Sequence, residues 1–209
     1  MTSNIQMGSG LPPVDFKMAI LGGSAVGKTS LMRALFKKPF TNEHIPTIDD
    51  YIIHALNQDG VHYNVCLVDT GGSFCFPVMR KFAISYCEGF VVMYAMNDAR
   101  SFQTALDTLD EILETKCGLG PHKRRIPVIM VANKSDCADR EITAAQAQRE
   151  LDDRPRIVGM YAEVSAKVNA GVDGIFYSLI SLVQAMTDEE RNRMKASSVR
   201  RSRKSWRKR

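Results

Sequence analysis

The chain has 209 residues, of which 44% are hydrophobic and 24% charged, so it is long and apolar enough for one folded domain and is not disordered throughout. Its net charge of +5 is unevenly distributed: residues 191–209 carry ten Lys or Arg and no acidic residue, which leaves −5 for residues 1–190. No charged-then-apolar leader opens the chain, and no apolar run reaches the roughly 18 residues of a membrane span. We therefore expect a soluble protein unless its basic tail attaches it to a surface.

Short apolar runs alternate with stretches of helical periodicity along the chain. This alternation predicts an α/β fold, in which a six-stranded, mostly parallel sheet is covered by helices on both faces. A turn signal at residues 57–60 favours a hairpin, so one edge strand is expected to be antiparallel. The predicted strands are 16–21, 51–56, 62–68, 90–95, 127–132 and 158–163, and the predicted helices are 27–37, 74–87, 100–116, 143–152 and 172–186.

Composition also divides the chain into three parts. Residues 1–13 are polar and contain Gly and Pro, and we expect them to be flexible. Residues 14–187 are predicted to form the folded domain, and residues 188–209 a basic, disordered tail. The five cysteines have no paired metal-site spacing, and an odd number in mostly apolar surroundings predicts reduced thiols in a cytosolic protein.

The first predicted strand leads directly into a phosphate-binding loop, with Gly22, four further residues, and then Gly27-Lys28-Thr29. The glycines allow the loop to turn its N–H groups towards phosphate oxygens. Lys28 supplies a positive charge at the β- and γ-phosphates, and the Thr29 hydroxyl can bind Mg²⁺. The predicted nucleotide-binding residues of this loop are Gly22, Ser24, Ala25, Val26, Gly27, Lys28, Thr29 and Ser30.

The base is indicated by Asn133-Lys134-Ser135-Asp136, which follows an apolar strand. The Asp136 carboxylate can accept N–H bonds from guanine N1 and the 2-amino group, a pattern that adenine lacks. Asn133 and Lys134 can brace the loop and cover the ring. Ser165-Ala166-Lys167 follows the next strand and can offer a backbone N–H to the guanine carbonyl oxygen. The expected ligand is therefore a guanine nucleotide.

With these motifs in order, residues 15–187 resemble a small GTPase of the Ras superfamily. The resemblance implies a P-loop NTPase fold, Mg²⁺ as cofactor, and GTP hydrolysis. It places Phe40 on the guanine edge and Thr47 in the first switch, where its hydroxyl reaches Mg²⁺ when a γ-phosphate is present. It also implies that Asp69 holds Mg²⁺ through water and that the Gly72 N–H contacts the γ-phosphate. The implied catalytic positions are Lys28, Thr47, Gly72 and Ser73, and the implied metal-binding positions are Thr29, Thr47 and Asp69.

The sequence lacks features that are typical of other branches of the superfamily, so it most resembles the Ras-like branch. Only 28 residues separate Asp136 from Ser165, too few for the extra helix of Rho relatives, and Val68 stands where Rab relatives usually carry Trp. Thr2 excludes the myristoylated glycine of Arf relatives. The resemblance implies a monomer that binds effector proteins through residues 44–52 and 71–85. It also implies an exchange factor and an activating protein.

Two departures from the family pattern bear on catalysis. Ser73 occupies the position of the water-orienting glutamine and is too short to reach both the attacking water and the γ-phosphate. Ser24 stands where Ras relatives commonly have glycine, on the route by which an activating arginine enters. We expect slow hydrolysis and a dominant GTP-bound form. Two alternatives remain open: another group replaces the glutamine, or the protein is a GTP-bound interaction protein with negligible hydrolysis.

The basic tail contains no cysteine, so the C-terminal prenyl signal of many Ras relatives is missing. Its Lys and Arg residues, with Trp206, predict reversible, salt-sensitive attachment to an anionic membrane surface. The expected location is the cytoplasm, peripherally at the inner face of the plasma membrane. Nuclear import, RNA contact, or a solvated or partner-binding tail are the alternatives.

Overall fold

The computed structural model describes residues 13–41, 50–70, 77–117 and 125–206. Strands and helices alternate along these residues as the sequence predicts. Their bounds are β1 Phe16–Gly22, α1 Lys28–Leu35, β2 Asp50–Gln58, β3 Val61–Asp69, α2 Pro77–Tyr86, β4 Gly89–Ala95, α3 Ala99–Cys117, β5 Ile126–Asn133, α4 Ala144–Asp152, β6 Ile157–Glu163 and α5 Val172–Trp206.

The six strands form one sheet in the order β2-β3-β1-β4-β5-β6. Every neighbouring pair is parallel except β2 and β3, which are antiparallel. The turn between them has positive φ at Asp59 and Gly60, and the Gly60 N–H donates to Asn57 Oδ1 at 3.1 Å. Two successive residues with positive φ match the twist of a tight hairpin. The predicted fold class and its antiparallel edge are confirmed.

Each face of the sheet buries its own apolar cluster. Side chains of α2, α3 and α4 cover one face, and side chains of α1 and α5 cover the other. β4 and β5 are buried along their whole length because helices cover both faces of the sheet. Strands in this position carry continuous apolar runs in place of an alternating pattern. Parallel strands with helical crossovers place the loops after β1, β3, β5 and β6 at one edge of the sheet. This edge is where the polar motifs lie.

The last helix is longer than the sequence predicts. We expected a helix over residues 172–186 and a disordered tail from residue 188, whereas α5 continues to Trp206. Residues 187–206 contain no Gly or Pro and are rich in Arg, Lys and Glu, which favour a helix despite the density of charge. The helix runs through the predicted boundary at residue 187, and the division of the domain from the tail there stays a prediction. Among the described residues, no helix is both long and apolar enough to cross a membrane.

Two cysteines lie inside the core. Cys66 and Cys87 are buried free thiols, and burial raises the pKa of Cys87 to about 12. Such thiols remain protonated at neutral pH and pack as small apolar side chains. Cys137 is also free and is partly exposed, whereas Cys75 lies outside the described residues.

Candidate nucleotide-binding site

The loop between β1 and α1 has a backbone that requires glycine at two positions. Gly22 has φ 140° and Gly27 has φ 98°. A Cβ at Gly22 would overlap the backbone carbonyl of Met93, and a Cβ at Gly27 would overlap the side-chain amide of Asn133. Glycine is therefore required at both positions for two reasons: the backbone has positive φ, and the neighbouring atoms leave no room for a Cβ.

Lys28 lies inside the curve of this loop rather than in solvent. Its Nζ donates to the carbonyl oxygens of Gly22 at 3.0 Å and Gly23 at 2.7 Å, and the residue is 6% exposed. Lys28 is also the first residue of α1, so the ammonium group lies close to the positive end of the helix dipole. The loop thus combines a buried cation with N–H groups at a helix N-terminus, an arrangement that favours anionic oxygens.

A hydroxyl and a carboxylate meet beside the loop. The Thr29 hydroxyl donates to Asp69 Oδ2 at 2.9 Å, and Asp69 ends β3 in a buried position. Both are hard oxygen donors, as Mg²⁺ prefers. The part of the chain that the structure describes has no cluster of three His, Cys, Asp or Glu for a metal. The hydroxyl of Thr29 beside the carboxylate of Asp69 fits Mg²⁺, which usually takes one or two protein ligands and completes its coordination with phosphate and water.

Asn133 connects the phosphate loop to the loop after β6. It ends β5 and is buried, its Nδ2 donates to the Val26 carbonyl at 2.8 Å, and its Oδ1 accepts from the Ala166 N–H at 3.0 Å. A buried amide that makes both bonds holds two loops in fixed positions. The sequence predicted a bracing role for Asn133 but did not identify these partners.

The Asp136 carboxylate is positioned by the loop after β6. The Ser165 hydroxyl donates to Asp136 Oδ1 at 2.6 Å, and Lys167 Nζ lies 3.9 Å from Oδ2. The Ser165 hydrogen bond is the main reason that the pKa of Asp136 is lowered from its ordinary value, and Lys167 and Lys134 add to the effect. Asp136 is therefore ionised at neutral pH, the state in which a carboxylate can accept two N–H bonds.

The structure describes some of the remaining predicted site residues, whereas others lie outside the described residues. Ser24 and Ala25 are exposed on the phosphate loop, Ser30 lies on α1, and Lys134 has a left-handed backbone with φ 67°. Phe40 is 40% exposed, so its contact with guanine stays a prediction. Thr47, Gly72 and Ser73 lie outside the described residues.

A backbone contribution was missed by sequence reasoning. Gly23 was not among the predicted site residues, yet its carbonyl makes the shorter of the two bonds to Lys28. A main-chain carbonyl leaves no side-chain signal in a sequence, so only the curvature of the loop could reveal it.

The phosphate loop is joined through the buried Asn133 to the loops after β5 and β6, which are the predicted base-recognition loops. This arrangement, at the carboxyl edge of a mostly parallel sheet, is that of the P-loop GTPase fold. A sequence model described as the Ras family matches residues 17–185, and the chain belongs to that family. The chain is also similar to the GTP-binding protein Rhes of human, mouse and rat, with 29% identity over 175 residues in each case. Each alignment covers 81% of this chain and 65% of the relative's length.

Proposed function

We propose that this protein is a molecular switch that binds GTP and GDP with Mg²⁺ and hydrolyses GTP slowly. The observation that carries the proposal is the placement of Asp136, an ionised carboxylate held by Ser165 in a loop that Asn133 ties to the phosphate loop. Membership of the Ras family and similarity to relatives named GTP-binding proteins support the same activity.

Mg²⁺ would be held by Thr29 and, through water, by Asp69, and when bound it neutralises charge on the β- and γ-phosphates. Lys28 binds the same phosphates. To do so, its Nζ gives up its hydrogen bonds to the carbonyl oxygens of Gly22 and Gly23. The Asn133 amide keeps the loop carbonyl of Val26 in position while the nucleotide is bound. The protein's contribution to catalysis is then positioning and electrostatic stabilisation.

Slow hydrolysis is proposed from the identity of two residues. A serine at position 73 provides a hydroxyl on one carbon, whereas a water-orienting residue must reach the attacking water and the phosphate together. Ser24, exposed on the phosphate loop, adds bulk where an activating arginine would enter. An arginine supplied in trans raises the rate of GTP hydrolysis by Ras-type GTPases about 10³-fold to 10⁵-fold, so obstruction of that route would keep the GTP form populated.

The proposal is tested by identifying the nucleotide that copurifies with the full chain and then following GTP conversion in a single turnover with Mg²⁺. We expect bound guanine nucleotide and conversion over hours. Conversion as fast as that of a glutamine-containing relative would overturn slow hydrolysis. GTP that is bound and never converted would favour the second candidate, an interaction protein in which GTP is structural; Ser73 and Ser24 are the residues that favour it.

We also propose that effector proteins bind through residues 44–52 and 71–85. Of the described residues in or beside these ranges, Val78, Phe82 and Tyr86 form an exposed apolar face on α2, with Val78 78% exposed. The rings of Phe82 and Tyr86 stack at 5.9 Å, and an Arg80–Glu111 ion pair of 2.7 Å fastens α2 to α3. An ordered apolar face of this kind suits a protein partner.

The basic tail is proposed to hold the protein at the inner face of the plasma membrane from the cytoplasm. The helix α5 carries seven of the ten Lys or Arg of residues 191–209, and each such charge near an anionic surface adds about 1 kcal/mol of binding. Nuclear import and RNA contact are the competing roles for the same charges.

Binding to vesicles tests the membrane role. We expect the full chain to bind vesicles that contain phosphatidylserine, and to be released as salt is raised. Ser202→Asp with Ser205→Asp adds two negative charges among the arginines and should weaken binding by about 10-fold to 30-fold. Ser202→Ala with Ser205→Ala is the matched control and should bind normally. Equal binding to neutral and anionic vesicles, or tighter binding to RNA than to vesicles, would exclude the membrane role.

A further inference from the structure

Beside the hydrogen bond from Ser165 to Asp136, a second contact joins the segment after β5 to the end of β6. Arg140 lies four residues after Asp136, and Glu163, the last residue of β6, lies two residues before Ser165. Arg140 Nη1 lies 3.1 Å from Oε1 and 3.1 Å from Oε2 of Glu163. The ion pair therefore connects the segment after β5 to the end of β6, two residues before Ser165, whose hydroxyl donates to Asp136.

Glu163 is held in place by a tyrosine of its own strand. The Tyr161 hydroxyl donates to Glu163 Oε1 at 3.0 Å. Burial raises the pKa of Tyr161, and the neighbouring Tyr94 hydroxyl and the Glu163 carboxylate raise it further, so Tyr161 remains a donor at neutral pH. Tyr94, Ala132 and Glu163 lie in one row across β4, β5 and β6.

Arg140 extends from a segment that is fastened on its other side. The next residue, Glu141, donates its N–H to the Met96 carbonyl at 2.9 Å and accepts the Ala99 N–H through Oε2 at 2.9 Å, at the start of α3. Met96 in turn donates its N–H to the Asn133 carbonyl at 3.0 Å. The segment after Asp136 is therefore held to the end of β4 by the Glu141 backbone, to α3 by the Glu141 side chain, and to β6 by Arg140.

We propose that Arg140 and Glu163 are positioning residues that slow the release of guanine nucleotide. The proposal rests on the proposed function and deepens it. Release of a base held between two loops requires those loops to separate, and the ion pair between Arg140 and Glu163 opposes that separation. The side chain of Arg140 is 49% exposed and that of Glu163 is 30% exposed. Water and salt therefore partly screen the attraction between the two charges.

The test is the dissociation rate of a fluorescent GDP analogue from the full chain with Mg²⁺, chased by excess GDP. Glu163→Gln keeps the size of the side chain and an acceptor for Tyr161, but it removes the charge. We expect release about threefold to tenfold faster for Glu163→Gln and for Arg140→Ala, since the pair and its charge-assisted hydrogen bond are lost. Raising the salt concentration should speed release from the wild type by a larger factor than release from Glu163→Gln, because only the wild type has the ion pair to be screened.

Two further variants separate positioning from general stability. Exchange of the charges, Arg140→Glu with Glu163→Arg, should bring the release rate back to within about twofold of the wild type. Asp110→Asn is the matched control, because it breaks the 2.8 Å ion pair of Arg154, which joins α3 to the segment after α4 away from the nucleotide. It should lower the unfolding temperature about as much as Glu163→Gln and leave the release rate unchanged.

Release of a second nucleotide, which differs from GDP in its base, completes the test. Inosine diphosphate lacks the 2-amino group, so Asp136 makes one contact fewer to it, and the variants should accelerate its release less than that of GDP. Equal release from wild type and variants, failure of the charge exchange, or an equal effect of Asp110→Asn would overturn the positioning role. A wild type that binds no guanine nucleotide would instead overturn the proposed function.

Discussion

Replacing Asp136 by asparagine is expected to lower the affinity for GDP by about 10³-fold, since two hydrogen bonds to a charged acceptor contribute about 1.5–3 kcal/mol each. The carboxylate presents two acceptor oxygens to N1–H and the 2-amino group. An amide presents an NH₂ group in one of these directions and places a donor against a donor. Ser165, which donates to Oδ1 at 2.6 Å, can still hold the amide oxygen, so the loop should keep its position.

Binding of xanthosine diphosphate distinguishes a loss of base recognition in Asp136→Asn from a loss of folding. Xanthine carries a carbonyl in place of the 2-amino group, and the new amide can donate to it. Asp136→Asn should therefore bind xanthosine diphosphate more tightly than GDP, as measured by titration calorimetry with both nucleotides. Asp139→Asn, an exposed neighbour in the same segment, is the matched control and should bind GDP normally. Unchanged GDP affinity in Asp136→Asn would show that this carboxylate does not read the base.

The lowered pKa of Asp136 also gives the wild type a definite pH dependence. Because the folded protein holds this pKa below the ordinary carboxyl value of about 3.9, the ionised form persists as the pH falls past that value. The contribution of Asp136 to binding is lost only as the pH falls through the lowered pKa. GDP affinity between about pH 7 and pH 5 should accordingly be insensitive to this group.

The phosphate and base motifs could be located from sequence because each is a local pattern with a local backbone requirement. Gly22 and Gly27 stand where the chain needs positive φ, and Asp136 follows a continuous apolar strand. The mostly parallel sheet followed from the alternation of strands and helices, and the turn signal at residues 57–60 marked the antiparallel pair. These features depend on neighbours within a few residues.

The contacts that hold the loops together could not be predicted in this way. Arg140 and Glu163 are 23 residues apart, and their pairing depends on the register of β5 with β6. The sequence assigned the Ser165 region a backbone bond to guanine, whereas the structure adds a hydroxyl bond to Asp136. The extension of α5 to Trp206 has no apolar periodicity to indicate it, and only the absence of Gly and Pro from residues 187–206 is compatible with a continued helix.

Replacing Ser73 by glutamine is expected to raise the single-turnover rate of GTP hydrolysis by about 10-fold to 100-fold, because a misplacement of about 1 Å at a reacting group can reduce a rate 100-fold. Glutamine carries its amide on two methylene groups and can contact both the attacking water and the phosphate. Serine ends after one carbon. Phosphoryl transfer depends mainly on positioning, so the gain should appear in the rate of the chemical step with little change in GTP affinity.

Ser73→Asn is the matched control, since it introduces the same amide on a side chain one methylene shorter. It should leave the rate within about threefold of the wild type if reach is the limiting property. The rates are measured as phosphate release from the preformed GTP complex after Mg²⁺ is added. A glutamine variant no faster than the wild type would mean that another group already orients the water in this protein. Equal acceleration by asparagine and glutamine would mean that the amide, rather than its reach, was the missing element.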